Sequence, residues 1–341
     1  MAGFYAMNVT QKDIALRLNV SASLVSRALA GTAEEIGASP ETIRRIREEA
    51  GKLNYRPSAA ALALRGMPTK TIGLVIKDFD DPFFGHMVRE FQRLARGQGY
   101  SLIMTGCDSK DVPSMDMVSL MKYEPDGLVL CGSDFEPGGL EVFIGHGLPV
   151  VQLGMGAKRK GIVTVSMDQA RGMELLVDHL LKFGHEDIGY IGDSNESNLR
   201  RESVLADVMK RHGLKIRKEW FLRVDGADAG YSGMKQLLAL GSKALPTALV
   251  LADDVFAIAA LRACHEAGLR VPADISLAGV DDIPFAHMAI PALTTVRQPI
   301  EEMAKAAFEM LVSNGQNGKR TDLVVEPRLV IRESCGQRKQ G

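Results

Sequence analysis

From Thr71 onward the chain alternates short β-rich runs with amphipathic helical stretches, and this alternation restricts the fold more than any other feature of the sequence. "TIGLVIKD" (71–78) precedes a helix predicted over Phe83 to Arg96. "YSLIMTGCD" precedes one near Met115 to Tyr123, followed by "DGLVLCG", a short helix near Val142 and "PVVQLG". A second set starts at Asp168: a helix to Phe183, "DIGYIGD", a helix near Leu199 to His212, "WFLRV", a helix near Tyr231 to Leu240, "TALVLADD", a helix to Ala267, and "DISLAGVDD". Strands alternating with helices of this length imply βαβ units, parallel sheets and right-handed crossovers. Two successive sets imply two doubly wound lobes, and a cleft at the C-terminal ends of their strands is where such folds place a small ligand. The last segments, "ALTTVRQP", "IEEMAKAAFEMLVSNG" and "DLVVEPRLVIRE", are expected to cross back and complete both lobes.

At 341 residues the chain is long enough for several cores. With 46% hydrophobic and 24% charged residues its composition is that of an ordinary globular protein. The net charge of −1 conceals an asymmetry: residues 1–66 hold nine Lys and Arg against six Asp and Glu, a balance of +3, which leaves −4 for the rest. That is a weak pointer to an anionic partner for the N-terminal part. The four cysteines are widely spaced, without CxxC or Cys/His ligand spacing, so neither a disulfide framework nor a metal site is expected. The first residues lack a basic n-region and an apolar h-region, and no apolar run approaches membrane-spanning length, so a cytoplasmic location without membrane association is expected.

The N-terminal zone carries short helical patterns only. Thr10 is a good N-cap for a helix over Gln11 to Leu18, with Asp13 in its first turn. Asn19 suits a tight left-handed turn, and Ser21 can cap a second helix, "ASLVSRAL", in which Leu24, Val25, Ala28 and Leu29 face inward. Ala22, Ser23, Ser26 and Arg27 are left on the outer face. Ser39 caps a third helix with Pro40 at its first position. Three short helices with a tight turn between the first two form a helix-turn-helix arrangement, whose second helix lies in the DNA major groove. Arg27 is suited to a bidentate pair with a guanine edge or to a phosphate, and Ser21, Ser23 and Ser26 to bases or backbone. From pattern alone a plain three-helix bundle with a solvated face fits equally well. "SAAALALR" after Pro57 is too apolar for a solvated linker and too short for a stable isolated helix. It reads as a segment that folds against a partner, two copies pairing through their alanines with Leu64 wedged into a minor-groove step, or as a plain connector.

At this point "VTQKDIALRLNVSASLVSRAL", "SPETIRRIREEAGKLNYRPSAAALALR", "TIGLVIKDFDDPFFGHMVREFQRLARGQGYSLIM" and "PTALVLADDVFAIAALRACHEAGLRVPADISLAGVDDIPFAHMAIPALTTVRQP" together resemble the lactose-repressor (LacI/GalR) family of transcription regulators, over about residues 9 to 331. The resemblance implies an α/β fold: an all-α helix-turn-helix domain over 8–56 and a hinge helix and linker over 57–70, joined to a two-lobed, doubly wound parallel-sheet core similar to type I periplasmic binding proteins. The first lobe covers 71–168, completed by about 297–325, and the second 169–296, completed by about 326–333. It further implies a homodimer on a near-palindromic double-stranded DNA operator, a sugar-like small-molecule effector and no cofactor. By position, Ala22, Ser23 and Arg27, with Ser26 beside them, fall at base-reading places. Thr10, Ser21, Ser39, Thr42 and Tyr55 fall where phosphate contacts are made, and Leu64 is the hinge wedge. Ala22 and Ser23 are smaller than usual there, which shifts the expected burden of specificity to Arg27, the hinge and DNA shape.

In the core the resemblance implies that Phe83 and Phe84 of "DDPFFG" line the effector cleft, with Arg200 of "NLRRES" as the effector-binding arginine, although the Gly usual three residues later is Ser203. Asp281 of "GVDD" is the ligand-binding acid, and Asp253 of "ADD" stands where Asn is usual. An arginine and two or three carboxylates beside an aromatic wall suit a polyhydroxylated ligand, since each carboxylate accepts two hydroxyls and Arg donates a planar fork. The competing readings are core packing for the phenylalanines and a structural ion pair for Arg200 with Asp281. A solute-binding protein of the periplasmic type shares the core but not the helix-turn-helix. An enzyme is disfavoured: "GMGAKRKG" fails G-x-G-x-x-G, and there is no GK[ST], HExxH or G-x-S-x-G.

Overall fold

The structure is a computed structural model describing residues 9–55, 67–106, 119–133, 135, 137–155, 159–226, 228–241, 244–313 and 321–338. The chain divides into two compact units, residues 1–67 and 68–341. The hinge wedge expected at Leu64 lies outside the described residues, as does most of the expected 57–70 linker.

The small unit contains α1 (Gln11–Leu18), α2 (Ala22–Ala30) and α3 (Pro40–Lys52), with one 3₁₀ turn at Glu34–Ile36. Thr10 and Asp13 form a reciprocal capping box at the head of α1, Thr10 N–H donating to the Asp13 carboxylate at 2.7 Å. Asn19 ends α1 in the left-handed region (φ 51°), which Asn tolerates better than most residues, and this places the turn before α2. Ser21 and Ser39 accept the Leu24 and Thr42 amides at 3.1 and 3.2 Å, so each helix start is fixed by its own hydroxyl. Ile14, Val25, Ala28 and Ile46 close the core between the three helices.

The large unit holds two six-stranded sheets. The first runs in the order β11-β5-β4-β3-β1-β2, with β1 (Thr71–Ile76), β2 (Ser101–Gly106), β3 (Gly127–Cys131), β4 (Val150–Leu153), β5 (Ile162–Met167) and β11 (Leu323–Val325), every pair parallel. The second runs β12-β10-β9-β8-β6-β7, with β6 (Ile188–Gly192), β7 (Phe221–Arg223), β8 (Ala248–Leu251), β9 (Ser276–Asp281), β10 (Thr294–Arg297) and β12 (Arg328–Val330). Here β12 alone is antiparallel to its neighbour. β1, β3, β6, β8 and β9 are buried along their whole length, mostly with small and aliphatic side chains, because helices cover both faces. The layers are α4 (Pro82–Gly97), α5 (Pro137–Gly145) and α10 (Ile300–Val312) in the first lobe. The second has α6 (Gln169–Lys182), α7 (Glu196–Arg211), α8 (Ala229–Leu238) and α9 (Asp254–Glu266).

The structure adds one strand to the sequence pattern. "IVTVSM" forms β5 beside β4, where alternation led us to begin the second lobe directly at Asp168. The helix expected near Met115 to Tyr123 is a 3₁₀ turn over Leu120–Tyr123 in its described part. Near the C-terminus the chain crosses between lobes twice more: α10 packs on α4 and β4, β11 joins β5, and β12 returns to β10.

Candidate functional site

In each sheet the winding reverses beside the strand with which the lobe begins, β1 and β6, and the loops leaving the C-terminal ends there face a cavity of about 400 Å³ between the lobes. Each polar wall residue follows from that placement. Lys77 and Asp78 leave β1 and Ser133 follows β3; Asp193 follows β6, Asp253 follows β8, Asp281 ends β9 and Gln298 follows β10.

The aromatic wall comes from α4. Asp81 caps that helix, accepting the Phe83 amide at 2.9 Å, with Pro82 in its first turn, and this turns Phe83 and Phe84 toward the cavity. The two rings are 9% and 6% exposed and meet edge to face with centroids 5.3 Å apart. Both therefore pack in the core and line the cavity at once. Asp253 caps α9 by accepting the Phe256 amide at 2.9 Å. Burial pushes its carboxyl up to about 7, with the Asp81 charge adding to the rise and Arg201 opposing it. Asp281 accepts Gln298 Nε2 at 2.6 Å and is held in a left-handed backbone (φ 110°), a strained state for a residue with a side chain. Burial raises its carboxyl well above the usual range, and Asp253 and Asp81 push it in the same direction. Asp254, the next residue on α9, is fully buried and serves as a girder, accepting Thr295 Oγ1 at 2.6 Å and the Ile283 amide at 2.9 Å.

The structure moves the expected arginine by one residue. Arg200 points away from the cavity, with a side chain 45% exposed and paired to Glu196 one turn earlier. Arg201 lines the cavity instead: it is 5% exposed, with Nε on Gln169 Oε1 at 3.3 Å, Nη1 on the Ala252 carbonyl, and Nη2 without a hydrogen bond among the described residues. Arg201 lies four residues before buried Leu205 on the inner stripe of α7, whereas Arg200 is rotated off that stripe by about 100°. Sequence reasoning also passed over Asp81, Asp193, Lys77 and Gln298. A cap signal before Pro82 marks Asp81, and the position immediately after a strand marks the others.

In the small unit, Ser23 and Arg27 are exposed on α2, and Ala22 and Ser26 are half-buried beside them. Thr10, Ser21 and Ser39 sit at the three helix N-termini, Thr42 shares its hydroxyl with Ser39 at 2.8 Å, and Tyr55 packs on the small core. Helix N-termini present backbone N–H groups and the positive end of the dipole, which suits phosphate oxygens. Cys131, Cys264 and Cys335 are buried free thiols; burial raises all three, Cys264 to about 12 and Cys335 to about 11. No helix among the described residues is long and apolar enough to cross a membrane.

Comparison with known proteins places this geometry. Residues 177–335 match the periplasmic binding protein-like domain family. The HTH-type transcriptional repressor PurR of Proteus mirabilis is 33% identical over 334 residues, covering 95% of this chain and 96% of that protein. The ribose operon repressor of Haemophilus influenzae is 32% identical over 334 residues, covering 95% and 98%. Among solved structures, the lac repressor dimer bound to operator and the anti-inducer ONPF superposes with a TM-score of 0.81 at 26% identity, over 96% of this chain and 98% of that one. A three-helix module with a capped, outward-facing second helix, a two-lobed core with a polar cleft and full-length similarity to these repressors lead to one assignment: the chain belongs to the LacI/GalR family of helix-turn-helix transcriptional regulators.

Proposed function

We propose that the protein is a cytoplasmic homodimeric repressor that binds a near-palindromic operator, with operator affinity set by a small polyhydroxylated ligand in the cleft. The observation that carries this reading is the cleft itself, which offers paired carboxylates, the Arg201 guanidinium and an aromatic wall to a small polar molecule. The protein acts by binding and not by catalysis, the reading that its repressor relatives support. On DNA, α2 lies in the major groove with Arg27 as its main base-reading group and Ala22, Ser23 and Ser26 close to the base edges. Thr10, Ser21, Ser39, Thr42 and Tyr55 hold phosphates, and Leu64 enters the minor groove.

In the cleft, Phe83 and Phe84 cover the apolar face of the ligand while Arg201, Asp253 and Asp281 bond its hydroxyls. Ligand and operator influence each other through a coupling free energy of about 1–3 kcal/mol. Selection from a random duplex library by the full-length protein tests the DNA half. A two-fold symmetric motif is expected, and Arg27→Ala should weaken binding to it by about 1–3 kcal/mol and relax selection at one position per half-site. An unsymmetric output, or selection unchanged by Arg27→Ala, would refute the assignment.

A further inference from the structure

In the small unit one arginine is committed to a backbone carbonyl of the second helix. Arg47, on α3, donates from Nε to the Ala28 carbonyl in the last turn of α2 at 3.4 Å. Arg44, one turn earlier on α3, is held differently, by Glu41 and Glu48 at 2.7 Å each. The last carbonyls of a helix find no partner within it and need one from elsewhere. In α2 the Arg27 carbonyl accepts the amides of Gly31, which is left-handed (φ 81°), and of Thr32, the latter at 3.0 Å. The next carbonyl, that of Ala28, takes Arg47, whose cation also stands at the negative end of the α2 dipole.

Packing alone orients this helix weakly. α2 has nine residues, too few for stability in isolation, and the two side chains that it buries fully, Val25 and Ala28, are small. Apolar burial is non-directional, so it sets the depth of α2 and leaves rotation about its own axis loosely held. A hydrogen bond is directional, and this one grips α2 at the residue next to exposed Arg27. Rotating a helix by about 20° carries a side-chain head about 6 Å from the axis sideways by about 2 Å, enough to break a bidentate pair with a base.

We infer that Arg47 is a positioning residue for operator specificity: by holding the Ala28 carbonyl it fixes the rotation of α2, and with it the direction of Arg27, without itself touching DNA. The inference rests on the reading of α2 as the helix in the major groove.

The bond can be kept while the charge is removed. In Arg47→Gln the side-chain Nε2 stands as many bonds from the backbone as the arginine Nε, so it can donate to the same carbonyl; Arg47→Met is of similar length and has no donor. Both lose one positive charge, so any lost attraction to phosphates is common to the two. The measurement is fluorescence anisotropy of full-length variants on the motif that wild type selects and on a random duplex, at one salt concentration. Arg47→Met should lower the ratio of the two affinities about tenfold, whereas Arg47→Gln should keep it within about twofold of wild type. In an Arg27→Ala background, Arg47→Met should lower it by less than about twofold, because the side chain it misdirects is gone. Ile46→Val loosens the same core without touching a polar group, and its ratio should stay at the wild-type value at a temperature where circular dichroism shows the variants folded.

A ratio lost in Arg47→Gln would make Arg47 a charge that DNA feels directly. An unchanged ratio in Arg47→Met would make the bond incidental, and a loss in Ile46→Val equal to that in Arg47→Met would trace selectivity to stability. Each of these overturns the inference and leaves the operator reading standing. If wild type separates no duplex from random DNA, the groove reading of α2 fails, and the inference fails with it.

Discussion

Replacing Asp253 with Asn should remove a specific part of the pH dependence of stability. Asp253 accepts the Phe256 amide at the head of α9, and Asn can accept the same bond, so the substitution removes charge while keeping the cap. In the folded protein burial lifts the Asp253 carboxyl to about 7, far above its value in an unfolded chain. A group raised on folding stabilises fully below its unfolded value, and that contribution is lost as pH rises through its folded value. Between about pH 6 and about pH 8 the unfolded side chain is already ionised while the folded one loses its proton, so ionisation at this site lowers stability by about 1.4 kcal/mol. For a unit of this size that corresponds to a melting temperature lower by about 3 °C. Asp254, raised to about 8 chiefly by burial and in smaller part by the Asp253 charge, adds a slope in the same direction in both proteins, slightly smaller in the variant, so its change adds to the difference that Asp253 makes. Calorimetric melts of wild type and Asp253→Asn across this range, without ligand, should converge toward low pH and separate as pH rises, the variant being flatter. Parallel curves would refute the assignment of a raised carboxyl at this position.

The arginine assignment is testable by paired variants. Arg201→Ala should abolish ligand binding and cost about 2–4 kcal/mol of stability, because it strips buried hydrogen bonds to Gln169 and Ala252. Arg200→Ala, which loses only an exposed pair with Glu196, should change stability by less than about 0.5 kcal/mol and leave ligand affinity unchanged in titration. In the small unit, Asn19→Ala should cost about 1 kcal/mol in a chemical-denaturation measurement, since Ala resists the left-handed backbone, while Asn19→Gly should cost nothing.

The fold class was legible because two periodicities alternate along the chain and because capping residues announce helix starts. Thr10, Ser21, Ser39, Asp81, Asp168, Asn195 and Asp253 all accept the amide their position requires. β5 was not legible: its burial is mixed and it runs almost directly into the strong Asp168 cap, so the lobe boundary hid the strand. The cleft was partly legible. Phe83, Phe84, Asp253 and Asp281 lie where the motif resemblance put them, whereas the arginine slipped by one because the expected spacing to Gly was counted from Arg200 to Ser203. Helical periodicity was the better guide there, since Asn198, Arg201 and Leu205 are buried on one stripe and Arg200 is not. That Asp81, Asp193, Asp253 and Asp281 share one cavity was invisible to motif reasoning for a different reason. It arises when β1, β6, β8 and β9, distant in sequence, bring their C-terminal ends to one cavity.

Two of the chain's three crossings between lobes form part of the cavity wall, and this gives a ligand a way to act on lobe geometry. Met167 and Gln169 flank the crossing from β5 to α6, and Gln298 lies on the crossing from β10 to α10. Both crossings are tied to ligand-site groups: Gln169 accepts from Arg201 at 3.3 Å, and Gln298 donates to Asp281 at 2.6 Å. A ligand that draws Asp281 toward itself competes with Gln298, and Gln298 stands one residue before Pro299 and the start of α10, which packs on the first lobe. A ligand shifts an equilibrium only by the difference in its affinity for the two states. Removing this bond should therefore reduce the difference without removing the site. Gln298→Ala should bind cleft ligands at least as tightly as wild type, because the Asp281 carboxylate is released to them. The ligand-induced change in operator affinity, about 1–3 kcal/mol in a coupled system, should shrink toward zero in fluorescence-anisotropy titrations. Full coupling retained in Gln298→Ala would show that the Asp281–Gln298 bond is a spectator and that lobe geometry responds through the crossing at Asp168 instead.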